Sequence, residues 1–333
     1  MRDRATIADV AERAGVSTAT VSRVLSGVGV AREPTRQRVL AAARELDYRP
    51  SGIARALKRR ETRTLGLLVT DLGNPFYPQV VSAIESAAHE RGYGIVLSNG
   101  GDDPERELEH LDLLVERRVD GIIVASSRMT GRHAAFLRRS PVPIVLVNST
   151  AAGSGIPAVA TAHRRGAEMA AAHLVGLGHR RIGHIGAPSE HAAAAQREAG
   201  VRDALVRLPD PVVVQGDGHV EGGARAAEGL IGSGVTAIAC YNDLTAIGAL
   251  RTLRRAGCHV PQQLSVIGFD DIEMAAWTDP PLTTIRQPTG ELGRWAVDRL
   301  LDALNGSGSN GAEPRELEPE LVVRASTGPP PPE

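Results

Sequence analysis

Residues 14–27 read AGVSTATVSRVLSG, a stretch with helical spacing and an unusual polar side. The polar positions carry small side chains and a single long charged one: Ser17, Thr18, Ala19, Thr20, Ser22 and Arg23. Exposed helix faces ordinarily carry longer charged side chains. Small side chains let a helix approach a partner closely, and hydroxyls and arginine can hydrogen-bond phosphates or base edges. The stretch therefore predicts a recognition helix that places these six residues in the major groove of duplex DNA.

The residues on either side of this stretch complete a helix-turn-helix. Thr6 precedes the apolar-periodic segment IADVAERA and can cap its first turn together with Asp9, and Gly15 ends that helix. A third helix follows Pro34, whose fixed φ suits a first turn. Its predicted inward side chains are Val39, Leu40, Ala43 and Leu46. Residues 1–49 are therefore predicted to form a DNA-binding head, the alternative being a helical hairpin packed against another domain.

The charge of the chain is unevenly distributed. Residues 1–63 contain 14 Lys and Arg side chains against 7 Asp and Glu, whereas the remainder holds 24 against 32. The formal net charge of −1 at pH 7 thus divides into a basic N-terminal part and an acidic remainder. A polyanion-binding module joined to a domain that does not bind polyanions has this distribution. It favours nucleic acid as the partner of the N-terminal part.

A short basic segment follows the head in residues 50–63. Its sequence SGIARALK has apolar positions on one side and Arg55 and Lys58 on others, over about two helical turns. Because so short a helix is marginal alone in water, the segment is predicted to be a hinge that folds on DNA. Leu57 would then act as a wedge in the minor groove. An ordinary basic linker is the alternative.

From Thr64 the pattern changes to apolar strands that alternate with helices. Near-continuous Val, Ile and Leu strands such as TLGLLV and GIIVA indicate a parallel sheet covered on both faces, and the pattern restarts after about residue 162. Two successive α/β units predict two lobes with a cleft between them. The predicted core is 64–327, with one lobe from about 64–161 and 290–318 and the other from about 162–289 and 319–327. Residues 328–333, GPPPPE, are predicted to be a disordered tail.

Polar side chains follow several of the predicted strands. They are Asn74, Ser126, Ser127, Asn148, Asn242 and Asp270, together with Arg197 in the helix predicted after RIGHIGAP. Ligands bind outside the carboxyl ends of parallel strands, so we expect these side chains around the cleft. Short amides, carboxylates and one arginine suit a polyhydroxylated or otherwise hydrogen-bonding ligand, although Asn and Asp are also common in loops.

Motifs for catalysis and metal binding are absent from the sequence. No GxSxG, HExxH, P-loop or GxGxxG segment follows a predicted strand, and neither the scattered histidines nor Cys240 and Cys258 have ligand spacing. The sequence therefore predicts no enzyme activity, no metal site and no cofactor. The start MRDRATIADV lacks the apolar region of a secretory signal, and no apolar run approaches about 18 residues. A cytoplasmic, nucleoid-associated protein without a membrane segment is expected.

Taken together, the segments resemble the LacI/GalR family of bacterial transcription regulators over nearly the whole chain. The similar segments are TIADVAERAGVSTATVSRVLSG, DYRPSGIARALK, DLGNPFY, LGHRRIGHIG, TAIACYNDLTAIGAL, SVIGFDDIE, PPLTTIRQP and ELVVRAST. The resemblance implies an all-α helix-turn-helix domain joined to an α/β body similar to periplasmic binding proteins. It places Thr18 and Ala19 at variable base-reading positions and Leu57 at an intercalating position. It also implies that Arg197 and Asp270 are polar anchors for an effector.

The resemblance further implies a homodimer on a pseudo-palindromic operator, with heads in successive major grooves and paired hinge helices in the minor groove between them. A small effector that closes the lobes would change the affinity for DNA. The expected function is a ligand-responsive transcriptional repressor. The alternatives are a solute-binding receptor without transcriptional action, an activator, and a regulator controlled by a protein partner. The end of the chain lacks the leucine heptads of a tetramerising bundle, so a dimer is expected.

This chain departs from the family pattern mainly around the expected effector. Many members carry Asp-Asn where this chain has Ala162 and His163, and Gly218 stands where an aromatic ring often stacks on the ligand. Asn148 replaces a frequent Asp, which leaves fewer anchors for a free hexose. Phe76 would still supply one aromatic wall, and His163 joins the candidate site. An unusual sugar, a nucleoside, an anionic metabolite or no effector at all remain open.

Overall fold

The computed structural model describes residues 5–26, 31–48, 61–125, 131–149, 155–189, 191–307 and 314–332. The chain forms two compact units, Met1–Thr62 and Arg63–Glu333. Five predicted site residues lie outside the described residues: Arg55, Leu57, Lys58, Ser126 and Ser127. Within the described part of the chain, no helix combines the length and apolar character needed to cross a lipid bilayer.

The described residues of the N-terminal unit contain three helices: α1 (Ile7–Ala14), α2 (Thr18–Ser26) and α3 (Glu33–Glu45). The predicted cap of α1 is confirmed. Thr6 Oγ1 accepts a hydrogen bond from the backbone N–H of Asp9, and the Asp9 carboxylate accepts one from the backbone N–H of Thr6 at 2.7 Å. Gly15 ends α1 with a φ of +64°, a left-handed conformation that glycine adopts without strain. The turn between α1 and α2 therefore follows from local sequence.

A hydrophobic core lies between these three helices. Val10, Val21 and Val39 contribute one fully buried side chain from each helix. On α3 the small side chain of Ala42 is buried, whereas Leu40 is only half-buried, so the inward face is turned slightly from the predicted one. The helix order, the tight turn and the shared core are those of a helix-turn-helix, as predicted.

The first lobe of the second unit is built on a six-stranded sheet with the order β11-β5-β4-β3-β1-β2. Its strands are β1 (Thr64–Val69), β2 (Gly94–Asn99), β3 (Gly121–Ala125), β4 (Ile144–Val147), β5 (Ala158–Thr161) and β11 (Arg315–Leu317). Neighbouring strands are parallel, with Leu67 of β1 opposite Leu97 of β2 and Ile123 of β3. The inner strands β1, β3 and β4 are almost wholly buried, which explains their continuous apolar runs.

In the part of this lobe that the structure describes, four helices pack on the sheet: α4 (Phe76–Glu90), α5 (Pro104–Glu116), α6 (Gly131–Arg139) and α11 (Thr289–Leu304). Asp103 caps α5 by accepting a hydrogen bond from the backbone N–H of Glu105 at 2.9 Å. Helices α4 and α11 approach closely because Gly293 has no side chain. A Cβ at that position would lie 2.7 Å from the backbone carbonyl carbon of Ala83.

The second lobe contains a four-stranded parallel sheet with the order β7-β6-β8-β9. Its strands are β6 (Ile182–Gly186), β7 (Val212–Gln215), β8 (Ala237–Cys240) and β9 (Ser265–Ile267). Beside it, β10 (Thr284–Arg286) pairs antiparallel with β12 (Glu320–Val322). The helices are α7 (His163–Gly176), α8 (Ala192–Ala204), α9 (Val220–Glu228) and α10 (Asp243–Arg255), and a 3₁₀ turn covers Glu273–Ala276. The predicted α/β body with two parallel sheets is confirmed.

The chain passes between the two lobes three times: between β5 and α7, between β10 and α11, and between β11 and β12. At the first crossing only Ala162 separates Thr161, the last residue of β5, from His163, the first residue of α7. At the second crossing Gln287 and Pro288 separate β10 from α11. Side chains at these crossings therefore lie at the boundary of the lobes.

The predicted disordered tail is wrong for its first residue, Gly328. The backbone N–H of Gly328 donates to Ser265 Oγ at 3.0 Å, and its carbonyl oxygen lies 2.9 Å from His179 Nε2. His179 is buried just beyond α7, and its Nδ1 lies 2.8 Å from Thr236 Oγ1. These partners are distant in sequence, so proline-rich composition alone does not reveal the contact.

Candidate DNA-binding surface and effector site

The six residues predicted to face the DNA lie on and just before α2. Ser17, Thr18, Ala19 and Arg23 are exposed, and Thr20 and Ser22 are half-buried. Ser17 Oγ accepts a hydrogen bond from the backbone N–H of Thr20 at 3.3 Å and thus caps the helix. Arg23 Nε donates to the carbonyl oxygen of Ala19 at 3.3 Å, which holds the guanidinium group close to the helix surface. The N-terminal end of α2 therefore exposes short side chains beside one arginine.

Asn74 and Phe76 lie at the start of α4. Asn74 Oδ1 accepts a hydrogen bond from the backbone N–H of Phe76 at 3.0 Å, which fixes the turn into the helix. The ring of Phe76 is buried and meets Tyr77 edge to face, with 5.4 Å between the ring centroids. Asn74 thus orders the turn that follows β1, and Phe76 belongs to the buried core of the second unit.

Asn148 and Asp270 are joined through a residue that the sequence analysis does not single out, Gln287. Asn148 Nδ2 donates to Gln287 Oε1 at 2.9 Å, and Thr161 Oγ1 donates to the same oxygen at 2.6 Å. The other end of the Gln287 amide donates to Asp270 Oδ1 at 2.6 Å. Asn148 has a φ of +50°, which Asn tolerates better than most residues, and its Oδ1 accepts from the N–H of Thr161. These hydrogen bonds connect the first lobe to the second.

Arg197 of α8 also lies beside Asp270. Its Nη1 donates to the carbonyl oxygen of Tyr241 at 2.6 Å, and its Nη2 lies 3.5 Å from Asp270 Oδ1. The guanidinium carbon is 3.7 Å from the ring centroid of Phe269 and 4.7 Å from that of Tyr241. Only 5% of Arg197 is exposed, so its charge is held in a dry site by one carboxylate and two aromatic faces.

Burial sets the protonation of two groups in this cluster. It raises the pKa of Asp270 to about 6, against the opposing effects of Arg197 and the hydrogen bond from Gln287. It lowers the pKa of His163 well below its ordinary value of 6.5, and the neighbouring charge of Arg197 lowers it further. His163 is therefore neutral at pH 7.

Glycines allow the close helix contacts that bring these side chains together. A Cβ on Gly200 of α8 would lie 2.1 Å from the carbonyl oxygen of Arg164 on α7. A Cβ on Gly166 would lie 2.9 Å from the ring of Phe269. Because α7 and α8 cross with backbone against backbone, His163 at the start of α7 comes within 3.4 Å of Arg197, measured from Nδ1 to Nη2.

Asn242 has a structural role next to this cluster. It caps α10 by accepting a hydrogen bond from the N–H of Thr245 at 2.9 Å, and its Nδ2 donates to the carbonyl oxygen of Gly218 at 2.8 Å. Gly218 has a φ of +83°, a conformation that favours glycine at this turn. Asn242 therefore fixes the loop where many family members carry a stacking ring.

Four residues at this site are missing from the sequence predictions: Thr161 and Gln287 of the hydrogen-bonded connection, and Tyr241 and Phe269, whose rings contact Arg197. Gln287 could have been found, because it follows strand β10 directly, as Asn148 follows β4. Thr161 ends a buried strand and has the pattern of a core residue. The resulting cluster, Asn148, Thr161, His163, Arg197, Asp270 and Gln287, is called the boundary cluster below. It gathers donors and acceptors suited to holding a small polar molecule.

Comparison with known proteins extends these observations. Residues 6–51 match the model for bacterial regulatory proteins of the lacI family, and residues 171–327 match a periplasmic binding protein-like domain. The HTH-type transcriptional repressor CytR of Escherichia coli (strain K12) is 37% identical over 329 residues, covering 97% of this chain and 96% of its own. The HTH-type transcriptional repressor PurR of Photobacterium profundum is 35% identical over 329 residues, covering 97% and 98%.

Solved structures show the same likeness. The lac repressor dimer bound to operator and the anti-inducer ONPF matches with a TM-score of 0.89 and 31% identity, covering 98% of this chain and all (100%) of that one. The cellobiose complex of the transcriptional regulator CelR matches with a TM-score of 0.74 and 31% identity, covering 97% and 100%.

A helix-turn-helix unit followed by a two-lobed α/β unit with a polar cluster at the lobe boundary defines a DNA-binding transcriptional regulator. The chain belongs to the lacI family of bacterial regulatory proteins.

Proposed function

We propose that the protein is a transcriptional repressor that binds a pseudo-palindromic operator as a homodimer and is controlled by a small-molecule effector at the boundary of its lobes. The observation that carries the proposal is the hydrogen-bonded connection from Asn148 through Gln287 to Asp270. It spans the two lobes with groups that a polar ligand can replace. The proteins it resembles are repressors, and we propose no enzymatic activity.

The head would read DNA through α2. Its exposed N-terminal end carries Ser17, Thr18 and Ala19, which are short enough for the helix backbone to lie against the major groove. Arg23 would contact a guanine or a phosphate. Arg55, Leu57 and Lys58, outside the described residues, are proposed to contact the minor groove and its backbone. We therefore propose a cytoplasmic, nucleoid-associated protein.

Effector control follows from the same hydrogen bonds. Gln287 is buried, its Oε1 accepting from Asn148 and Thr161 and its Nε2 donating to Asp270. A ligand that competes for these groups changes the relation of the two lobes, and only a ligand with different affinity for the two arrangements shifts the DNA-binding equilibrium. Asn74, Phe76, Ser126, Ser127 and Asn242 remain proposed neighbours of that ligand.

Two exposed apolar areas support a homodimer. In the first lobe, Leu97 on the edge strand β2 is 41% exposed, next to Val96. In the second lobe, Trp277 is 69% exposed. A nearby groove of about 460 Å³ is lined by Ile247, Leu250, Arg251, Arg254, Arg255, Thr278 and Asp279. Contiguous exposed apolar surface marks interaction sites, and we propose that a second copy covers both areas.

Sedimentation of the full chain tests the dimer. Leu97→Glu and Trp277→Glu are expected to shift it toward a monomer. Val206→Glu is the matched control, because Val206 is 82% exposed but belongs to neither area. A wild-type monomer, or an equal shift with the control, would contradict the proposed interface.

The experiment for the function is selection of genomic fragments by the full-length protein, followed by footprinting at moderate ionic strength. We expect protection of a two-fold-related sequence. A thermal-shift screen of sugars, nucleosides and phosphorylated metabolites then identifies ligands, and each hit is added to the protein–operator complex. A hit that lowers operator affinity identifies an inducer, and one that raises it a co-repressor. If no two-fold-related sequence is protected with or without these compounds, the proposed function is wrong.

A further inference from the structure

His163 is held in one tautomer by its neighbour. Its Nδ1 lies 3.4 Å from Arg197 Nη2, and a guanidinium can only donate hydrogen bonds. Nδ1 therefore acts as the acceptor and carries no proton. Because burial and Arg197 keep the pKa of His163 well below 6.5, the ring is neutral at pH 7 and its single proton is on Nε2.

The Nε2–H of His163 is a buried donor without an acceptor among the described residues. His163 is only 4% exposed, and no hydrogen-bond partner for Nε2 lies within that part of the chain. Buried donors in native proteins are nearly always paired, since leaving one unpaired is costly. An unpaired donor in a candidate ligand site indicates an acceptor that arrives with the ligand.

Two further buried polar groups lack hydrogen-bond partners among the described residues. Arg197 Nε and Ser149 Oγ are both buried without a hydrogen-bond partner in the described structure. Helix α7 begins at His163, and Ala162 before it offers no side-chain cap. The partial positive charge of that helix end also favours electron-rich oxygen atoms. The boundary cluster thus has two unused donors, His163 Nε2–H and Arg197 Nε–H, which match a ligand rich in hydroxyl or carbonyl oxygens.

The charges of the cluster disfavour an anion. The guanidinium of Arg197 is already matched by Asp270, with 3.5 Å between Nη2 and Oδ1. An anionic ligand would bring a second negative charge beside Asp270 in a dry environment without a second cation from the cluster. An uncharged ligand meets the donors without this cost.

We propose that His163 is a specificity-determining residue whose Nε2–H donates to a hydroxyl or carbonyl oxygen of an uncharged, polyhydroxylated effector. The inference rests on the proposed function and narrows its effector. It concerns the position where the family pattern Asp-Asn is replaced by Ala162 and His163, so it distinguishes this chain from relatives with that pattern.

Binding of matched neutral and anionic probes tests the effector class. The full-length protein is titrated calorimetrically with D-ribose, D-ribose 5-phosphate, uridine and uridine 5′-monophosphate. We expect at least one neutral compound to bind and its phosphorylated counterpart to bind at least about tenfold more weakly. Tighter binding of the phosphorylated member, or no binding of either neutral probe at millimolar concentration, overturns the proposal.

Substitution of His163 tests the donor. His163→Gln keeps an N–H near the position of Nε2, whereas His163→Met fills similar volume without a donor. We expect the Met variant to lose about tenfold or more in affinity for the neutral probe and the Gln variant to retain most of it. Equal losses in both variants would reduce His163 to a packing residue.

The tautomer is measured on the wild-type protein, so the inference stays testable if a variant fails to fold. Long-range ¹H–¹⁵N correlation spectra with labelled histidine are expected to show Nε2 protonated and Nδ1 unprotonated at pH 7. A proton on Nδ1, or an imidazolium, contradicts the proposal. Operator binding by the wild type is measured separately, so failure of the proposed function and failure of this inference are distinguishable.

Discussion

Gln287 donates to Asp270 across 2.6 Å, and this single contact closes a hydrogen-bonded path from one lobe to the other. Gln287 stands at the second crossing of the chain, and Asp270 follows β9 of the second lobe. The opposite end of the amide accepts from Asn148 and Thr161 of the first lobe. Because an amide has both a donor and an acceptor, Gln287 can serve both lobes at once.

Gln287→Met should therefore destabilise the protein more than a surface substitution does. Methionine fits a similar volume but removes the hydrogen bonds that Gln287 makes with Asn148 Nδ2, Thr161 Oγ1 and Asp270 Oδ1. We expect a loss of about 2–4 kcal/mol in the free energy of unfolding, measured by urea denaturation of the full chain. A change below about 0.5 kcal/mol would show that the path carries little energy.

Gln287→Glu is the matched control. The new carboxylate still accepts from Asn148 and Thr161 but faces the carboxyl of Asp270 in a buried site. The two acids can share one proton at low pH and repel each other at high pH. The free energy of unfolding of the variant should therefore be closer to that of the wild type at pH 5 than at pH 8. The reverse order would contradict the assigned orientation of the amide.

Local sequence determines much of this fold. The capping pair Thr6 and Asp9 and the left-handed Gly15 fix the first turn of the head, and each is visible in a few neighbouring residues. Buried parallel strands are equally visible, because a short continuous apolar run bounded by turn residues is typical of a strand covered on both faces. The fold class could be predicted for these reasons.

The boundary cluster was only partly predictable. Asn148 and Asp270 stand just after strands and could be selected by position, and Arg197 is selected in the helix that follows β6. Their connection through Gln287 depends on how the lobes meet, which no local pattern encodes. Gly328 shows the same limit, since its partners Ser265 and His179 are about 63 and 149 residues away.

Gly200→Ala tests the helix crossing that brings His163 to Arg197. The added Cβ would lie 2.1 Å from the carbonyl oxygen of Arg164, and backbone cannot yield as a side chain can. We expect a loss of about 1–3 kcal/mol or more in unfolding free energy, because overpacking displaces the backbone.

Gly176→Ala on α7 is the control for that substitution. A Cβ there meets nothing within 4 Å, so the change adds a methyl group without a clash. Alanine is the better helix former, so the control should leave stability unchanged or raise it by up to about 1 kcal/mol. Similar destabilisation by both substitutions would mean that the crossing is not tightly packed.

Asp270→Asn should change the pH dependence of stability. The pKa of Asp270 rises from 3.8 to about 6 on folding, so the native state holds this proton more tightly between those values. The contribution of Asp270 is fully present below about pH 4 and is lost as the pH rises to about 6. The free energy of unfolding of the Asn variant, relative to that of the wild type, should therefore rise by up to about 3 kcal/mol between pH 4 and pH 7.

Urea titrations of both proteins across that range check this prediction. The variant is compared with the wild type at each pH because His163 titrates in both proteins. Burial lowers the pKa of His163, so its contribution to stability rises with pH up to about 6.5. If the difference in unfolding free energy between the two proteins stays constant from pH 4 to pH 7, the pKa of Asp270 does not change on folding.

Arg23→Ala should weaken operator binding by about 1–3 kcal/mol if Arg23 reads a base. Arg23 is exposed on α2, and its Nε is anchored on the carbonyl oxygen of Ala19. Arg13→Ala removes the same charge from α1, where Arg13 pairs with Glu45 at 2.7 Å on an exposed surface. The control should cost little stability and little specificity.

Fluorescence anisotropy on the selected operator and on random DNA separates the two roles of Arg23. A base contact is lost on the operator alone, so the ratio of specific to random affinity falls. A phosphate contact is lost equally on both DNAs and lowers the slope of log affinity against log salt by about one. An Arg23→Ala protein that matches Arg13→Ala on both DNAs would exclude Arg23 from the DNA-contacting surface of α2.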